Sequence, residues 1–398
     1  MKTIKEIEIT GKKVFIRVDF NVPMDEQQNI TEDTRIRTVL PTLEYALSQN
    51  AKIILASHLG RPKGKKVPEM SLKPVAAHLS KLVNKDVMMA PDCIGNYVEE
   101  MVSKMKDGEI VLLENLRYYD EEQANDKGFA AKLGSLCDVY INNAFAVSHR
   151  VHASVAAITE TVKDCGAGLL LEKEINYYQK AMENPKRPLV AIVGGAKISS
   201  KLAALENMLN KVDKVIIGGA MANTFLKSQG YNVGASMVED DILDTAADVI
   251  KTAKAKGIDF YIPVDVVAAE KFNKDADSKT VSIDEIPEGW MALDVGTKTA
   301  KLYSDVVKTA GTVVWNGPMG VFEMEIFSKG TMTVAESVAD CDALTIIGGG
   351  DTDAAVHKAG LEDKMSYIST GGGAFLKLME GKTLPGVTFL NEAEKSNA

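Results

Sequence analysis

The stretch L-V-A-I-V-G-G-A-K-I-S-S-K-L, Leu189 to Leu202, decides the reading of the fold. Five apolar residues, Leu189 to Val193, run into Gly194-Gly195. The lysine and serine segment that follows is expected to open a helix, with Lys197 and Lys201 four apart on one helical face. Buried strand, tight glycine turn, helix is the recurring junction of an α/β layer structure. There the free N–H groups and positive dipole end of the helix face whatever lies beyond the strand's carboxyl end, and the glycines let a ligand approach the backbone. Two ammonium groups beside the turn suggest a bound polyanion such as phosphate. The alternative is a plain sheet junction with two solvated lysines.

The same alternation runs along the chain in both directions. Upstream, strands are expected at Val14–Asp19, Lys52–Ser57, Val87–Ala90, Ile110–Leu113 and from Val139, with helices at Thr34–Asn50 (kinked at Pro41), Ser71–Asn84 and Ile94–Met105. The amphipathic segment Leu169 to Glu183 reads as a helix broken by N-P-K-R-P, and it marks the domain boundary. Downstream, strands are expected at Leu189–Val193, Val215–Ile217, Phe260–Ile262, Trp290–Val295, T-V-V-W-N-G and L-T-I-I-G-G-G-D, with helices from Ser199, from Ala220, at Asp240–Lys256 and after Thr297, Ile326 and Thr352. The fold class is therefore α/β: two doubly wound parallel-sheet (Rossmann-like) domains joined by a hinge helix. The boundaries are 1–168, the interdomain helix 169–185, 186–380, and a tail 381–398.

A length of 398 residues favours two domains, and 45% hydrophobic with 25% charged residues is an ordinary globular composition. The net charge of −9 argues against a general nucleic-acid binder. Cys93, Cys137, Cys165 and Cys341 lack C-x-x-C spacing, so neither a zinc site nor a disulfide framework is indicated. The first residues, M-K-T-I-K-E-I-E-I-T, lack an apolar signal-peptide core, and no run is long enough for a membrane span, so a cytoplasmic location is expected. Of the arginines, only Arg187 lies in the second half; Arg17, Arg35, Arg37, Arg61, Arg117 and Arg150 all precede it. Arginine's planar fork binds carboxylate and phosphate bidentately, so the first half looks built for an oxyanion.

In such sheets ligands bind outside the carboxyl ends of the strands. Those positions hold Asp19, Asn21, His58, Arg61, Arg117 and Arg150 in the first half, with Arg35 near a helix start. In the second they hold Gly194, Gly195, Lys197, Asn316, Gly317, Glu323, Gly348 to Thr352 and Gly371 to Gly373. Repeated glycine turns cost backbone entropy, and their exposed N–H groups form nests for phosphate oxygens. Asp351 beside one nest could hold Mg²⁺ on a nucleotide, cap the following helix, or do both. Familiar nucleotide motifs are missing: Gly60-Arg-Pro-Lys-Gly64-Lys-Lys is one residue short of a P-loop, and no G-x-G-x-x-G follows a strand. Arg17 and Arg37 read as structural or solvated, His78, His152 and His357 as packing or surface residues, and the cysteines as small core residues. His58 and His149 abut candidate arginines and could contact a ligand or cap.

As a set, the strings R-V-D-F-N-V-P (Arg17 to Pro23), S-H-L-G-R-P (Ser57 to Pro62), E-N-L-R (Glu114 to Arg117), A-F-A-V-S-H-R-x-H-A-S (Ala144 to Ser154), G-G-A-K (Gly194 to Lys197), W-N-G-P-M-G-V-F-E (Trp315 to Glu323), G-G-G-D-T (Gly348 to Thr352) and S-T-G-G-G-A (Ser369 to Ala374) resemble the phosphoglycerate kinase family, in its order and over almost the whole chain. The resemblance implies ATP-dependent phosphorylation of 3-phosphoglycerate to 1,3-bisphosphoglycerate, reversed in glycolysis. It implies a substrate site of Asp19, Phe20, Asn21, Arg35, His58, Leu59, Gly60, Arg61, Arg117 and Arg150 in the first domain. Arg35 and Lys197, with the backbone of Gly349 and Gly372, would serve the transferring group. Lys201, Asn316, Glu323, Gly349, Gly350, Asp351 and Thr352 would hold ATP or ADP, with Mg²⁺ on Asp351. It further implies a tail that returns to the first domain, and a monomer. Ser200, Ala292 and Thr297 depart from the common family pattern at aspartate, glycine and proline positions, which bears on nucleotide affinity and not on the reaction.

A carboxylate acceptor is already ionised at neutral pH and needs no general base, in keeping with the lack of an evident His/Asp pair. The competing classes are a non-catalytic two-domain anion-binding protein and a nicotinamide-dependent oxidoreductase, the latter weakened by its missing fingerprint.

Overall fold

The computed structural model describes residues 1–396 and divides the chain into two compact units, Met1–Ile175 with Thr383 onward, and Asn176–Lys382. The last two positions of the expected tail lie outside the described residues. Unit one holds a six-stranded parallel sheet of β1 (Lys13–Arg17), β2 (Lys52–Ala56), β3 (Val87–Met89), β4 (Ile110–Leu112), β5 (Val139–Asn142) and β6 (Asp164–Ala167), ordered β3-β4-β2-β1-β5-β6. In unit two, β7 (Leu189–Val193), β8 (Lys214–Ile217) and β9 (Asp259–Tyr261) precede a separate antiparallel sheet of β10 (Asp265–Ala269), β11 (Ser278–Ser282) and β12 (Met291–Val295). β13 (Thr312–Asn316), β14 (Leu344–Ile347) and β15 (Tyr367–Ile368) complete the main parallel sheet, ordered β15-β14-β13-β7-β8-β9.

The central strands of these sheets are continuous apolar runs, as expected where little strand surface meets solvent, while the outer strands β3 and β9 are only partly buried. All five residues of β7 are buried. Ile16, Ile53, Leu55 and Leu112 anchor the core of unit one, and Val190, Ile192, Val313 and Trp315 that of unit two. In each sheet the first strand of the unit lies inside, and the chain winds outward from it in both directions. By the general rule for such sheets, ligand sites are expected beyond the carboxyl ends of β2, β1 and β5 in one unit and of β14, β13 and β7 in the other.

Four expectations are corrected. The helix from Ser199 starts only at Leu202, so Lys197 and Lys201 do not share a helical face. Ser199 instead donates from its N–H and Oγ to Glu239, and Ser200 Oγ donates to Lys197 O (2.9 Å). Hydroxyls bonded this way compete with the helical ladder. The helix Thr34–Asn50 is two, Thr34–Arg37 and Leu40–Ser48; Pro41 lies in the first turn of the second, where its missing N–H costs nothing, and is no kink. Trp290–Val295 contributes β12 to the antiparallel sheet rather than to the parallel one. The helix expected after Thr352 begins at Gly350, with Gly349 as its cap, so Asp351 lies in the first turn and is not the capping residue.

The helix Leu169–Met182 crosses the boundary between the units. Its start is tied within unit one: Leu169 N–H donates to Thr42 Oγ1 (3.1 Å) and Leu170 N–H to Asn143 Oδ1 (3.0 Å). The helix Pro385–Ser396 packs beside β6, where Gly386 N–H donates to Ser148 O (2.8 Å) and the Met1 amine meets Glu394 at 3.0 Å.

Candidate active site

In unit one the segments that leave β1, β2, β4 and β5 converge on one cup. Asp19 and Asn21 follow β1, and the Arg35 Nη1 donates to Asp19 Oδ2 (3.1 Å) and to Asn21 O (2.9 Å). Asn21 Oδ1 accepts from Gly60 N–H (2.8 Å), and Gly60 O accepts from Arg117 Nη1 (2.8 Å). Phe20 is buried, and its N–H donates to Ser57 Oγ (2.8 Å). Buried Asn115 clasps Leu59 from both sides, accepting its N–H (3.2 Å) and donating to its carbonyl (2.7 Å). Arg150 is half-buried and its Nε donates to His149 Nε2 (3.3 Å); Arg61 is exposed.

The electrostatics are those of an anion receptor. Burial above all, then Arg17, Arg117, Arg150 and Arg35, pushes His58 well below the usual histidine range. Burial first, then Arg17, Arg117 and Arg150, brings His152 down to about 3. Burial and then Arg150 and Arg17 lower Arg117 to about 10. Each guanidinium repels the others, and a multivalent anion entering the cup would relieve that repulsion.

In unit two the strand-end turns interlock. Lys201 Nζ donates to Gly194 O (2.6 Å), Asn316 O (3.0 Å) and Asn316 Oδ1 (2.6 Å), bridging the ends of β7 and β13. Asn316 Nδ2 donates to Gly348 O (2.8 Å), and Thr352 Oγ1 accepts from Gly317 N–H (2.6 Å), which adds the end of β14. Gly194 is required by contact: a Cβ there would lie 2.1 Å from Pro318 O. Gly349 has φ +96°, and a Cβ on Gly372 would lie 3.0 Å from Gly349 Cα. Two helices, Gly350–Lys358 and Gly372–Met379, thus begin side by side on bare glycine backbone. Their first-turn N–H groups lack intrahelical partners, and both dipoles favour negative charge at that spot. Lys197, Glu323 and Asp351 are exposed around these turns. Burial lowers Lys201 to about 8, opposed by Asp351.

The described contacts therefore bring together Asp19, Asn21, Arg35, His58, Leu59, Gly60 and Arg117 in one network, and Lys201, Asn316, Gly348 and Thr352 in another, with Gly349 next along the chain. Arg61, Lys197, Glu323 and Asp351 stand at the rims without a hydrogen bond to these sets among the described ones. Sequence reading missed Ser57, Asn115, Glu122 and Ser154 beneath the cup; Arg17, read as structural or solvated, is structural and fully buried there. Asn115 was legible within E-N-L-R, whereas Glu122 lies in an unremarkable acidic run, D-E-E-Q.

Two doubly wound α/β units, one with an arginine cup and the other with paired glycine helix starts, define the class: a two-unit α/β protein with an oxyanion-receptive strand-end site in each unit. The phosphoglycerate kinase family model matches residues 4–382. A phosphoglycerate kinase of Geobacter metallireducens is 59% identical over 396 residues, covering 99% of this chain and all of the relative. The solved structure of phosphoglycerate kinase from Coxiella burnetii is similar with a TM-score of 0.90 at 42% identity, covering 98% of this chain and 99% of that one. The one from Pyrococcus horikoshii has a TM-score of 0.86 at 30% identity, covering 99% and 100%. The chain belongs to the phosphoglycerate kinase family, enzymes that transfer a phosphoryl group to a carboxyl acceptor.

Proposed function

We propose that this chain transfers the γ-phosphoryl group of ATP reversibly to the carboxylate of 3-phosphoglycerate, giving ADP and 1,3-bisphosphoglycerate, by direct in-line transfer. The observation that carries the reading is the presence in one family member of both an arginine cup and a pair of converging glycine helix starts. Asp19, Asn21, His58, Arg61, Arg117 and Arg150, with the backbone of Phe20, Leu59 and Gly60, bind the acceptor and its phosphate. Neutral His58 offers a hydrogen bond without adding positive charge. Arg35 serves the acceptor end of the transferring group; its described hydrogen bonds all come from Nη1, so the rest of its fork is available.

On the nucleotide side Lys197 accompanies the moving phosphoryl group, and the N–H groups of Gly349 and Gly372 receive its equatorial oxygens. Asn316, Glu323, Gly350 and Thr352 hold the nucleotide. Lys201 acts through the turns it pins, since its ammonium already serves three protein acceptors. Asp351 would hold a magnesium ion: it is an exposed carboxylate in the first turn of the helix that starts at Gly350, and Mg²⁺ on a nucleotide uses one or two carboxylates with the phosphates supplying the rest. When bound, the ion neutralises charge that builds on the phosphate oxygens. The transition state spreads charge over three equatorial oxygens, so catalysis rests on positioning and on these fixed donors.

The helix Leu169–Met182 is the hinge in this reading, with a 3-phosphoglycerate domain before it and a nucleotide domain after it; closure about it would exclude water, which otherwise hydrolyses the acyl phosphate. The protein is further read as a cytoplasmic monomer. Free thiols at Cys93, Cys137, Cys165 and Cys341 support a reducing compartment, and no described helix is long and apolar enough to cross a membrane. A coupled assay tests the activity: ATP-dependent consumption of 3-phosphoglycerate with Mg²⁺ and no response to NAD is expected. Binding of 3-phosphoglycerate with no ATP turnover would instead favour the non-catalytic anion-binding alternative.

A further inference from the structure

Beneath the arginine cup lies a carboxylate that contacts no position of the proposed substrate site. Glu122 and Arg17 are both 0% exposed, and Glu122 Oε1 stands 3.9 Å from Arg17 Nη2. The strong bonds of Glu122 go elsewhere. Its Oε2 accepts from Ser154 N–H (2.9 Å), its Oε1 from Ser154 Oγ (2.6 Å), and its backbone carbonyl from Ala153 N–H (2.9 Å). Three bonds thus hold the chain just past Arg150. Ser154 Oγ, having donated to Glu122, accepts from Arg17 Nε (2.8 Å). Arg17 Nη2 in turn meets His58 Nδ1 at 3.3 Å, and His58 Nδ1 lies 3.7 Å from Asp19 Oδ1, the carboxylate that also holds Arg35.

We infer that Glu122 is a positioning residue for the acceptor site, acting through Ser154 and Arg17 on one side and through the segment of Arg150 on the other. This inference rests on the proposed acceptor site in unit one. A buried ion pair at this separation is a poor source of stability, because desolvation offsets the attraction and apolar side chains of equal volume would pack as well. Geometry is what it supplies. With its carboxylate doubly bonded to Ser154, Glu122 sets one rotamer of Arg17 and leaves Arg117 and Arg150 facing the acceptor. Without it, Arg17 is a buried cation beside two others, and the cup must shift to separate them.

The test is steady-state kinetics of Glu122→Gln and Ser154→Ala in the full-length chain, with each substrate varied separately. Both variants are expected to raise the KM for 3-phosphoglycerate about tenfold, to leave the KM for ATP within about twofold, and to keep kcat within about threefold. The double variant is expected to be no worse than Glu122→Gln alone, because both changes break the same relay. A merely structural role would lower the active fraction and leave both KM values unchanged. Unchanged acceptor KM in folded variants, or multiplicative effects in the double variant, would overturn the inference. Should Glu122→Gln fail to fold, Ser154→Ala, which removes a single hydroxyl, decides by its acceptor KM. Absence of any 3-phosphoglycerate turnover in the parent protein would instead overturn the activity on which the inference rests.

Discussion

His58 and His152 are neutral in the folded protein because burial and the surrounding guanidinium groups disfavour a further positive charge. Their folded values lie below the ordinary histidine value of 6.5, His152 at about 3. The unfolded chain therefore binds protons first as pH falls, and stability contributed above the ordinary value is lost as the pH drops from about 6.5 towards 3. Urea midpoints measured from pH 7 to pH 4 should decline, and His152→Gln should flatten the decline; an unchanged slope would remove His152 from the account. Arg35 and Lys197 make a second prediction at this scale. Removing one donor to a developing anion costs about 2.7 to 4 kcal/mol, or ~10²- to 10³-fold in rate. Arg35→Ala and Lys197→Ala should each lose at least that much kcat, and near-normal turnover in either purified variant would exclude its assigned role. Of the side chains, Asp19 was legible because a charged group at a strand's carboxyl end has few structural reasons to be there, whereas Arg35, near a helix start, was assigned its role through the family resemblance. The partners of Arg17 were not legible, since its position within β1 conceals that its guanidinium joins a network reaching Glu122, more than a hundred residues on.

Among the elements, the strand ends matter most. The turns after β7 and β13 touch backbone to backbone, with Gly317 and Gly194 each occupying the space a side chain of the other would need. Gly194→Ala places a methyl group against Pro318 O, so the turn carrying Asn316 must move. The ATP KM should rise at least tenfold while that for 3-phosphoglycerate stays unchanged. Gly230 provides the contrast: it has φ +91° and no atom within 4 Å of where an added methyl group would sit. Gly230→Ala should therefore cost only backbone strain, roughly 1–2 kcal/mol in a denaturation series, with both KM values unaffected. The parallel strands were readable as apolar runs that end in polar or glycine turns. The start of the helix at Leu202 was not, because it depends on Glu239 capturing Ser199 from a distant segment. Nor was the antiparallel sheet β10-β11-β12, since a short strand's pattern does not state its partner's direction.

At the scale of the whole molecule, the proposed reaction would have one domain present a carboxylate and the other a nucleotide. If the hinge assignment of Leu169–Met182 holds, the radius of gyration from solution scattering should fall when 3-phosphoglycerate and a non-hydrolysable ATP analogue with Mg²⁺ are added together. No change with both bound would remove support for closure.

The amino-acid sequence by itself determined the class of fold and the identity of the strand-end residues, because apolar periodicity and glycine placement are local properties that survive in a linear string. It also carried the family, through eight motifs in order. Only the tertiary structure decided what each charged group faces. It commits the ammonium of Lys201 to the turns of β7 and β13, leaves Lys197 exposed, and puts Glu122 beneath the cup. The reason is physical: desolvation and hydrogen-bond geometry depend on distances across the fold, and residues such as Arg17 and Ser154, 137 positions apart, become neighbours only once the sheet has formed.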